Sequence, residues 1–249
     1  MSLYLGIGIG PFIGEAVVGR WGFRAAWIVS IGLAAAAVAI CLRLPAMRPP
    51  NEEPSADREP STRHRLVHPA GLLPGLVLFA VIWGMGGFLA FVPLYALDIG
   101  MRGAGPVLGL FAGIVVTIRS IGARIPDRLG AGRATRIALV LSAIGLGVVG
   151  VWPTPAGLIA GTALLGVGVA LFTPALFSLA VADVPATERG AVMGTTSAFL
   201  DLAFGLGPAT LGFVAAAVGR GGTFLTGAAV AAAGLVLVVT TKLGRPARS

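Results

Sequence analysis

Three ionisable side chains in this sequence could do chemistry, because each lies inside or beside a long apolar stretch: Glu15, Arg119 and Asp201. A charge at the centre of a bilayer costs about 2.5 to 3.5 kcal/mol on insertion scales, so such residues usually face a bundle interior or a wet cavity. The short side chain of Asp201 cannot reach the membrane surface, and we expect it to bind a proton, a partner or a substrate. Arg119 and Asp201 could form an ion pair within the membrane, where they attract an anionic group or take up a proton, or they could act as a purely structural clamp.

Two of these residues have a second interpretation at the membrane surface. Glu15 is close in sequence to Arg20, so interfacial solvation or local pairing competes with a role in relaying protons. The long side chain of Arg119 could reach the interface from the end of its helix. Trp83, on a glycine-rich helix, could line a cavity and completes the candidate substrate and proton pathway with Arg119, Asp201 and Glu15.

Motifs for other kinds of chemistry are missing from the sequence. It contains neither the phosphate loop G-x-x-x-x-G-K-[ST] nor the nucleophile elbow G-x-S-x-G. A single cysteine, Cys41, excludes an intrachain disulfide. His64 and His68 have the i, i+4 spacing of metal ligands but lack a third ligand. We therefore expect no enzymatic activity, no catalytic residue, no metal site and no cofactor.

The elements that position these residues are predicted to be transmembrane helices. Hydrophobic residues make up 56% of the chain and charged residues 11%, and its 38 glycines suit closely packed membrane helices. Residues 137–182 carry no charge and are interrupted only by Trp152-Pro153-Thr154-Pro155, so they indicate two spans. The apolar pattern predicts an all-α integral membrane protein of about eight helices, at residues 3–19, 25–42, 71–97, 106–123, 135–152, 156–182, 190–217 and 223–241.

The distribution of basic residues predicts the orientation of these helices, so the net charge of +8 does not indicate nucleic-acid binding. Cytoplasmic connectors are rich in Lys and Arg. One set of alternate connectors and the C-terminus carry Arg43, Arg48, Arg58, Arg63, Arg65, Arg124, Arg128, Arg133, Arg136, Arg189, Lys242, Arg245 and Arg248, whereas the other side carries Arg20, Arg24, Arg102 and Arg220. We expect a multi-pass protein of the cell (plasma) membrane with both termini in the cytoplasm.

Residues 43–68 differ from the rest of the chain because they are rich in proline and charge. A segment of this composition is expected to be a mobile cytoplasmic linker. It divides the chain into residues 1–42, with two helices, and residues 69–249, with six.

The first helix pair resembles the last one. Gly8-Ile9-Gly10-Pro11 matches Gly205-Leu206-Gly207-Pro208, and Gly19-Arg20 matches Gly219-Arg220 with a shift of three residues. Parallel repeats of this kind build many secondary transporters. If the two pairs are equivalent, the six-helix block is a complete half and residues 1–42 are the last two helices of an incomplete half.

The pattern Gly6-x-x-x-Gly10-Pro11-x-x-Gly14 resembles the fifth-helix signature of proton-coupled exporters in the major facilitator superfamily, with Glu15 where a further glycine follows. The whole chain resembles helices five to twelve of that twelve-helix family, whose two halves are joined by a long cytoplasmic loop. Gly10, Pro11, Gly14, Gly207 and Pro208 would then serve helix packing or hinge motion. Ordinary close packing by small residues is the alternative explanation of the pattern.

Residues 123–133, with the sequence A-R-I-P-D-R-L-G-A-G-R, resemble the family's loop signature G-x-x-x-D-R-x-G-R-R. By this resemblance, Asp127 would face the N-terminus of a neighbouring helix and Arg128 would pair with acidic residues in the same layer. With Arg133 and with Glu188 at a helix start, they would form a latch that holds one access state closed. A basic turn that only sets topology is the alternative.

The resemblance implies secondary active transport of a small molecule, coupled to protons and working by alternating access, with the Gly-Pro signature favouring efflux by an antiporter. The expected partners are the lipid bilayer, the substrate and protons, and no nucleic acid. The chain would be an incomplete fragment, or it would assemble with a partner that supplies the missing front helices. A non-transporting accessory or regulatory membrane subunit is the competing hypothesis.

Overall fold

The structure is a computed structural model that describes residues 2–43, 67–121 and 129–241. The described residues form six α-helices: α1 (Ser2–Arg43), α2 (Pro69–Asp98), α3 (Gly105–Ile121), α4 (Ala131–Val151), α5 (Pro155–Val181) and α6 (Arg189–Thr240). Since no strand occurs in this part of the chain, the prediction of an all-helical fold is confirmed. Five helical segments are long and apolar enough to cross a membrane, and α3, with 17 residues, is shorter. The predicted count of about eight spans is not confirmed.

Polar caps followed by proline define the starts of α2 and α5. Ahead of Pro69, the His68 ring accepts a hydrogen bond from the amide of Ala70, with 3.3 Å between Nδ1 and N. Ahead of Pro155, the Thr154 hydroxyl accepts from the amide of Gly157 at 3.1 Å. Proline suits the first helical position because its missing N–H would have no partner there. Both starts lie within two residues of the positions predicted from sequence.

The start of α4 differs from the prediction of residue 135. Gly130 has a φ of 78°, and α4 begins directly after it at Ala131. Arg133 therefore lies in the first turn of a helix and not in a loop. The predicted start lies later because Arg133 interrupts the apolar run, but a charge in a first turn does not prevent helix formation.

A glycine with positive φ interrupts each of the two longest helices. Gly22 in α1 has φ 76° and ψ 177°, and Gly219 in α6 has φ 79° and ψ 171°. The interval between these glycines is 197 residues, the same as that between Pro11 and Pro208. The two helix pairs therefore match without the three-residue shift inferred from sequence, and Gly22, not Gly19, is the counterpart of Gly219.

Contacts divide the chain into two compact units, residues 1–11 with 66–249, and residues 12–65. In the second unit the described residues all belong to α1, and most of its large apolar side chains are exposed, including Trp21, Phe23 and Trp27. An apolar surface of this extent suits lipid or a neighbouring protein helix better than water.

In the first unit, α2 occupies the centre of the helix bundle. It packs most extensively on α6 and also contacts α4 and α5. Its buried Phe88 contacts Phe111 of α3 and Phe224 of α6, with ring centroids 5.9 and 6.1 Å apart. α4 packs on α5 and α6, and α3 packs chiefly on α5.

Glycine allows the closest crossings within this bundle. A Cβ added to Gly145 of α4 would lie 2.7 Å from the carbonyl oxygen of Gly161 in α5, and one added to Gly161 would lie 2.6 Å from that of Gly145. A Cβ on Gly87 of α2 would lie 2.1 Å from a methyl carbon of Leu211 in α6. Close approach through small residues replaces much of the hydrophobic driving force that lipid does not provide. The glycines of α2 therefore serve packing in this structure, and α2 continues as a helix through them.

Candidate functional site

A hydrogen-bonded cluster links α2 and α6 at the Gly207-Pro208 sequence. The Trp83 indole, only 9% exposed, donates through Nε1 to the Thr210 hydroxyl at 2.9 Å. That hydroxyl donates in turn to the Leu206 carbonyl at 2.6 Å. A Cβ on Gly207 would lie 2.9 Å from the Trp83 carbonyl oxygen, so glycine is needed for this approach. Trp83, Gly207 and Pro208, three residues selected from sequence, thus lie together.

Thr210 was missed by the sequence analysis, although its position is informative. It follows Gly207 by three residues and therefore lies on the same face of the helix. Its hydroxyl accepts from the buried indole and donates to a carbonyl of its own helix, so both polar groups are satisfied without water. In lipid, a buried polar group has no solvent to replace a lost partner.

Arg119 and Asp201 are not brought together in the structure. Arg119 lies half-buried in the last turn of α3, and Asp201 is exposed on α6, roughly 18 Å along that helix from Arg189 at 1.5 Å per residue. The two side chains do not form an ion pair with each other, and α3 packs chiefly on α5. Their roles in a transport path stay predictions.

The exporter-like pattern lies on α1, and part of it falls outside the described side chains. The side chains of Pro11 and Glu15 belong to that part. A Cβ added at Gly10 or Gly14 would meet no atom within 4 Å. Gly10 thus differs from its counterpart Gly207, which packs against backbone.

Within the predicted latch, Asp127 and Arg128 lie outside the described residues, and Arg133 is exposed on α4. Glu188 precedes α6, where its carboxylate lies 3.3 Å from Nε2 of His68. Because Nδ1 of His68 accepts from the Ala70 amide, a neutral ring carries its proton on Nε2, the nitrogen that lies near the Glu188 carboxylate.

His68 also connects the start of α2 to α6 through its backbone. Its amide donates to the Thr195 hydroxyl of α6 at 2.8 Å. The sequence analysis placed His68 at the end of the linker and considered it only as a metal ligand. The signal for its structural role was its position immediately before Pro69, where a helix cap is expected.

A second ion pair, which was also missed from sequence, joins the end of α2 to the break in α6. Arg220, directly after the break at Gly219, donates through Nη1 to Asp98 at the end of α2, at 2.6 Å from Oδ1 and also to Oδ2. The two residues are 122 positions apart, so no local spacing could have indicated the contact. Among the described residues, no group of three or more His, Cys, Asp or Glu side chains could hold a metal ion.

Comparisons with known proteins identify a family and relatives of this chain. The family model described as Major Facilitator Superfamily matches residues 1–155 and 127–249. An uncharacterized MFS-type transporter of Pseudomonas aeruginosa is 36% identical over 173 residues, which cover 70% of this chain and 42% of that protein. An uncharacterized MFS-type transporter of Burkholderia mallei is 35% identical over 171 residues, covering 69% of this chain and 41% of that protein.

The matched part of the chain thus spans about two fifths of the length of these relatives. Its apolar helices and the similarity to membrane transporters make it a multi-pass protein of the plasma membrane. Because the family model matches more than half of the sequence, the chain belongs to the Major Facilitator Superfamily.

Proposed function

We propose that the protein takes part in secondary active transport of a small molecule across the plasma membrane. The observation that carries this proposal is the match of the transporter family model to both ends of the chain. The repeated helix pairs, each with a Gly-Pro sequence followed by a glycine break, are consistent with it, since many secondary transporters are built from repeats.

Proton-coupled export by alternating access is the mechanism that we infer. The Gly10-Pro11 pattern of α1 supports export, and Asp201 supplies an exposed carboxylate on a membrane helix. Transport of this kind rearranges helices around a site and forms no covalent intermediate, so it needs neither a nucleophile nor a metal. In this mechanism Asp201 exchanges a proton, Arg119 attracts an anionic group, and Glu15 relays protons near the other membrane face.

The conformational latch is also proposed, with one addition from the structure. Asp127, Arg128 and Arg133 form its loop part by resemblance to the family signature. Glu188 joins α6 to the start of α2 through His68, 3.3 Å away, and so supports a contact that stabilises one arrangement of the cytoplasmic helix ends.

Transport by the chain can be tested in proteoliposomes that enclose a pH-sensitive dye. We expect addition of amphipathic organic substrates to release a preformed pH gradient only when the protein is present. Gradient-dependent flux by this chain alone would exclude the accessory-subunit hypothesis. Absence of flux from the chain alone, together with a change in the flux of a co-purified membrane protein, would favour that hypothesis instead.

Variants connect the assay to single residues. Asp201→Asn should lower substrate-dependent proton release by about tenfold or more, since a carboxamide cannot exchange the proton. Arg119→Gln should weaken the response to anionic substrates. The matched controls are Asp183→Asn and Arg102→Gln, which alter exposed residues between helices. Unchanged coupling in both test variants would remove Asp201 and Arg119 from the mechanism.

A further inference from the structure

A cavity of about 520 Å³ lies between the end of α2 and the break in α6. Its apolar wall consists of Phe91 and Leu94 from α2 with Ala215 and Ala216 from α6. The Asp98–Arg220 ion pair lines the same cavity. Its volume is within the roughly 300 to 1,000 Å³ typical of small-molecule sites, and apolar walls with a few polar groups are the usual lining. None of the residues selected from sequence as a transport site lines it.

The ion pair leaves hydrogen-bond donors of Arg220 free within the described part of the chain. Both carboxylate oxygens of Asp98 accept from Nη1 of Arg220. The opposite edge of the guanidinium, formed by Nε and Nη2, donates no hydrogen bond within the described part of the chain. That edge has the fork geometry that binds a carboxylate or phosphate through two parallel hydrogen bonds. The cavity therefore offers donors to an anion, whereas its acceptor is already engaged.

Access to the cavity is open on the side of the ion pair. The side chain of Arg220 is 38% exposed and that of Asp98 is 45% exposed, and Leu94 is also exposed. Gly219 has no atom within 4 Å of an added Cβ, and the two alanines are small, so the volume is not filled by the protein. An incoming anion can contact Arg220 without displacing Asp98.

We propose that this cavity binds an amphiphile whose phosphate or carboxylate group contacts Nε and Nη2 of Arg220 and whose apolar part packs on Phe91, Leu94, Ala215 and Ala216. Two sources share this chemistry, a phospholipid headgroup from the bilayer and a free organic anion from solution. The site is separate from the proposed transport residues, and its occupancy is measured without any gradient. Failure of the transport proposal therefore leaves this one intact, and the reverse also holds.

Calorimetric titration of the full chain in lipid-free maltoside micelles tests the proposal. Phenyl phosphate, which has both an anionic and an apolar part, should bind more tightly than inorganic phosphate. Phenyltrimethylammonium, with the same ring and the opposite charge, should not bind. No binding of phenyl phosphate, or preference for the ammonium compound, would overturn the proposal.

Substitutions of Arg220 and of Asp98 are expected to change the affinity for phenyl phosphate in opposite directions. Arg220→Gln should weaken phenyl phosphate binding by about ten- to hundredfold, as expected for loss of hydrogen bonds to a charged group. Asp98→Asn should strengthen it by roughly two- to fivefold, because a partly exposed competing charge is removed. Arg102→Gln, an exposed arginine in the α2–α3 connection, is the matched control and should change nothing. Equal effects of Arg220→Gln and Arg102→Gln would refute the site.

A third variant keeps the test valid if Arg220→Gln does not fold. Ala216→Phe fills the apolar wall and leaves the ion pair in place, so it should weaken phenyl phosphate binding while the thermal unfolding transition remains cooperative. Full binding by a folded Ala216→Phe protein would contradict the assigned cavity.

The source of the ligand is distinguished by adding phosphatidylglycerol to these micelles. If a lipid headgroup occupies the site, phosphatidylglycerol should compete with phenyl phosphate and lower its apparent affinity in the wild-type protein but not in Arg220→Gln. If the ligand comes from solution, phosphatidylglycerol should have no effect on the affinity.

Discussion

At the scale of single residues, several polar side chains of the described bundle find partners within the protein, whereas the buried hydroxyls of Ser142, Thr162 and Thr173 do not. Trp83 donates to Thr210, and the buried Tyr95 donates to the carbonyl of Val149 at 2.7 Å. Thr196 donates to the carbonyl of Val192, four residues earlier in the same helix, at 2.8 Å. Hydrogen bonds between protein groups matter more in lipid than in water, since no solvent replaces a lost partner.

Removal of the Thr210 hydroxyl should therefore destabilise the bundle. Thr210→Val leaves the Trp83 N–H without its acceptor in a site where Trp83 is 9% exposed. We expect a loss of about 1 to 3 kcal/mol in the free energy of unfolding, measured by denaturant titration in detergent micelles.

The matched control is Thr210→Ser, which keeps the hydroxyl and should lose little. A double-mutant cycle with Trp83→Phe isolates the hydrogen bond, because the second substitution removes its donor. If Thr210→Val cost the same in both backgrounds, the hydrogen bond would not be the cause.

His68 provides a second prediction because two of its functions can be separated. His68→Ala removes the cap of α2 and the contact with Glu188, and the loss of a cap costs about 1 kcal/mol. His68→Asn should recover most of this cost, since Asn is a good cap residue. The amide of Ala70 should exchange its hydrogen faster in the Ala variant, as measured by hydrogen exchange.

If His68→Asn were as unstable as His68→Ala, the contact with Glu188 would dominate over the cap. Glu188→Gln distinguishes these cases, because it keeps a hydrogen-bond acceptor for Nε2 but removes the charge.

At the scale of elements, the positions of Pro, Gly and polar residues explain which helix bounds the sequence could predict. The bounds of α2 and α5 were predicted to within two residues because charged or proline-containing connections interrupt the apolar runs on either side. The start of α4 was misplaced, since Arg133 and Arg136 interrupt the apolar run without interrupting the helix. Charge is a poorer guide to helix ends than backbone chemistry.

Contacts between distant elements were beyond prediction for a different reason. Asp98 ends α2 and Arg220 follows the break in α6, and apolar periodicity cannot show that these two positions lie together in space. Similarly, the partner of Trp83 depends on which face of α6 packs on α2. Helix existence is a local property of the sequence, whereas the pairing of polar groups depends on the packed arrangement.

The glycine breaks yield a prediction at this scale. Gly219→Ala forces a side chain into a backbone conformation, φ 79° and ψ 171°, that is essentially restricted to glycine, which costs about 1 to 3 kcal/mol. Gly205→Ala is the control in the same helix, because an added Cβ there meets no atom within 4 Å and alanine favours helix. Unfolding in micelles should show a loss for the first variant and none for the second.

Gly22→Ala tests whether the counterpart break is equivalent, since its φ is 76°. Equal stability of Gly219→Ala and Gly205→Ala would mean that α6 can straighten at residue 219 without cost, contrary to the strained conformation of that position.

At the scale of the whole molecule, the predicted orientation in the membrane places two exposed connections on opposite faces. Arg102 and Asp183 are exposed in connections between helices and are predicted to lie on opposite faces. In a Cys41→Ser background, Arg102→Cys should react with a membrane-impermeant maleimide in intact cells. Asp183→Cys should react only after the membrane is opened.

The reverse labelling pattern would place both termini outside the cytoplasm and overturn the predicted topology. Reaction of both cysteines in intact cells would indicate that α3, α4 and α5 do not separate these connections across the bilayer.

The break at Gly219 also has a mechanical consequence for the bundle. Before the break, α6 meets α2 where Gly207 approaches Trp83 and where Leu211 covers Gly87; after the break, Gly227 approaches Gly84 from the returning segment. The two segments of α6, before and after Gly219, thus contact the same turn of α2 from two sides. We therefore expect α2 and the two segments of α6 to move together as one rigid body during a conformational change.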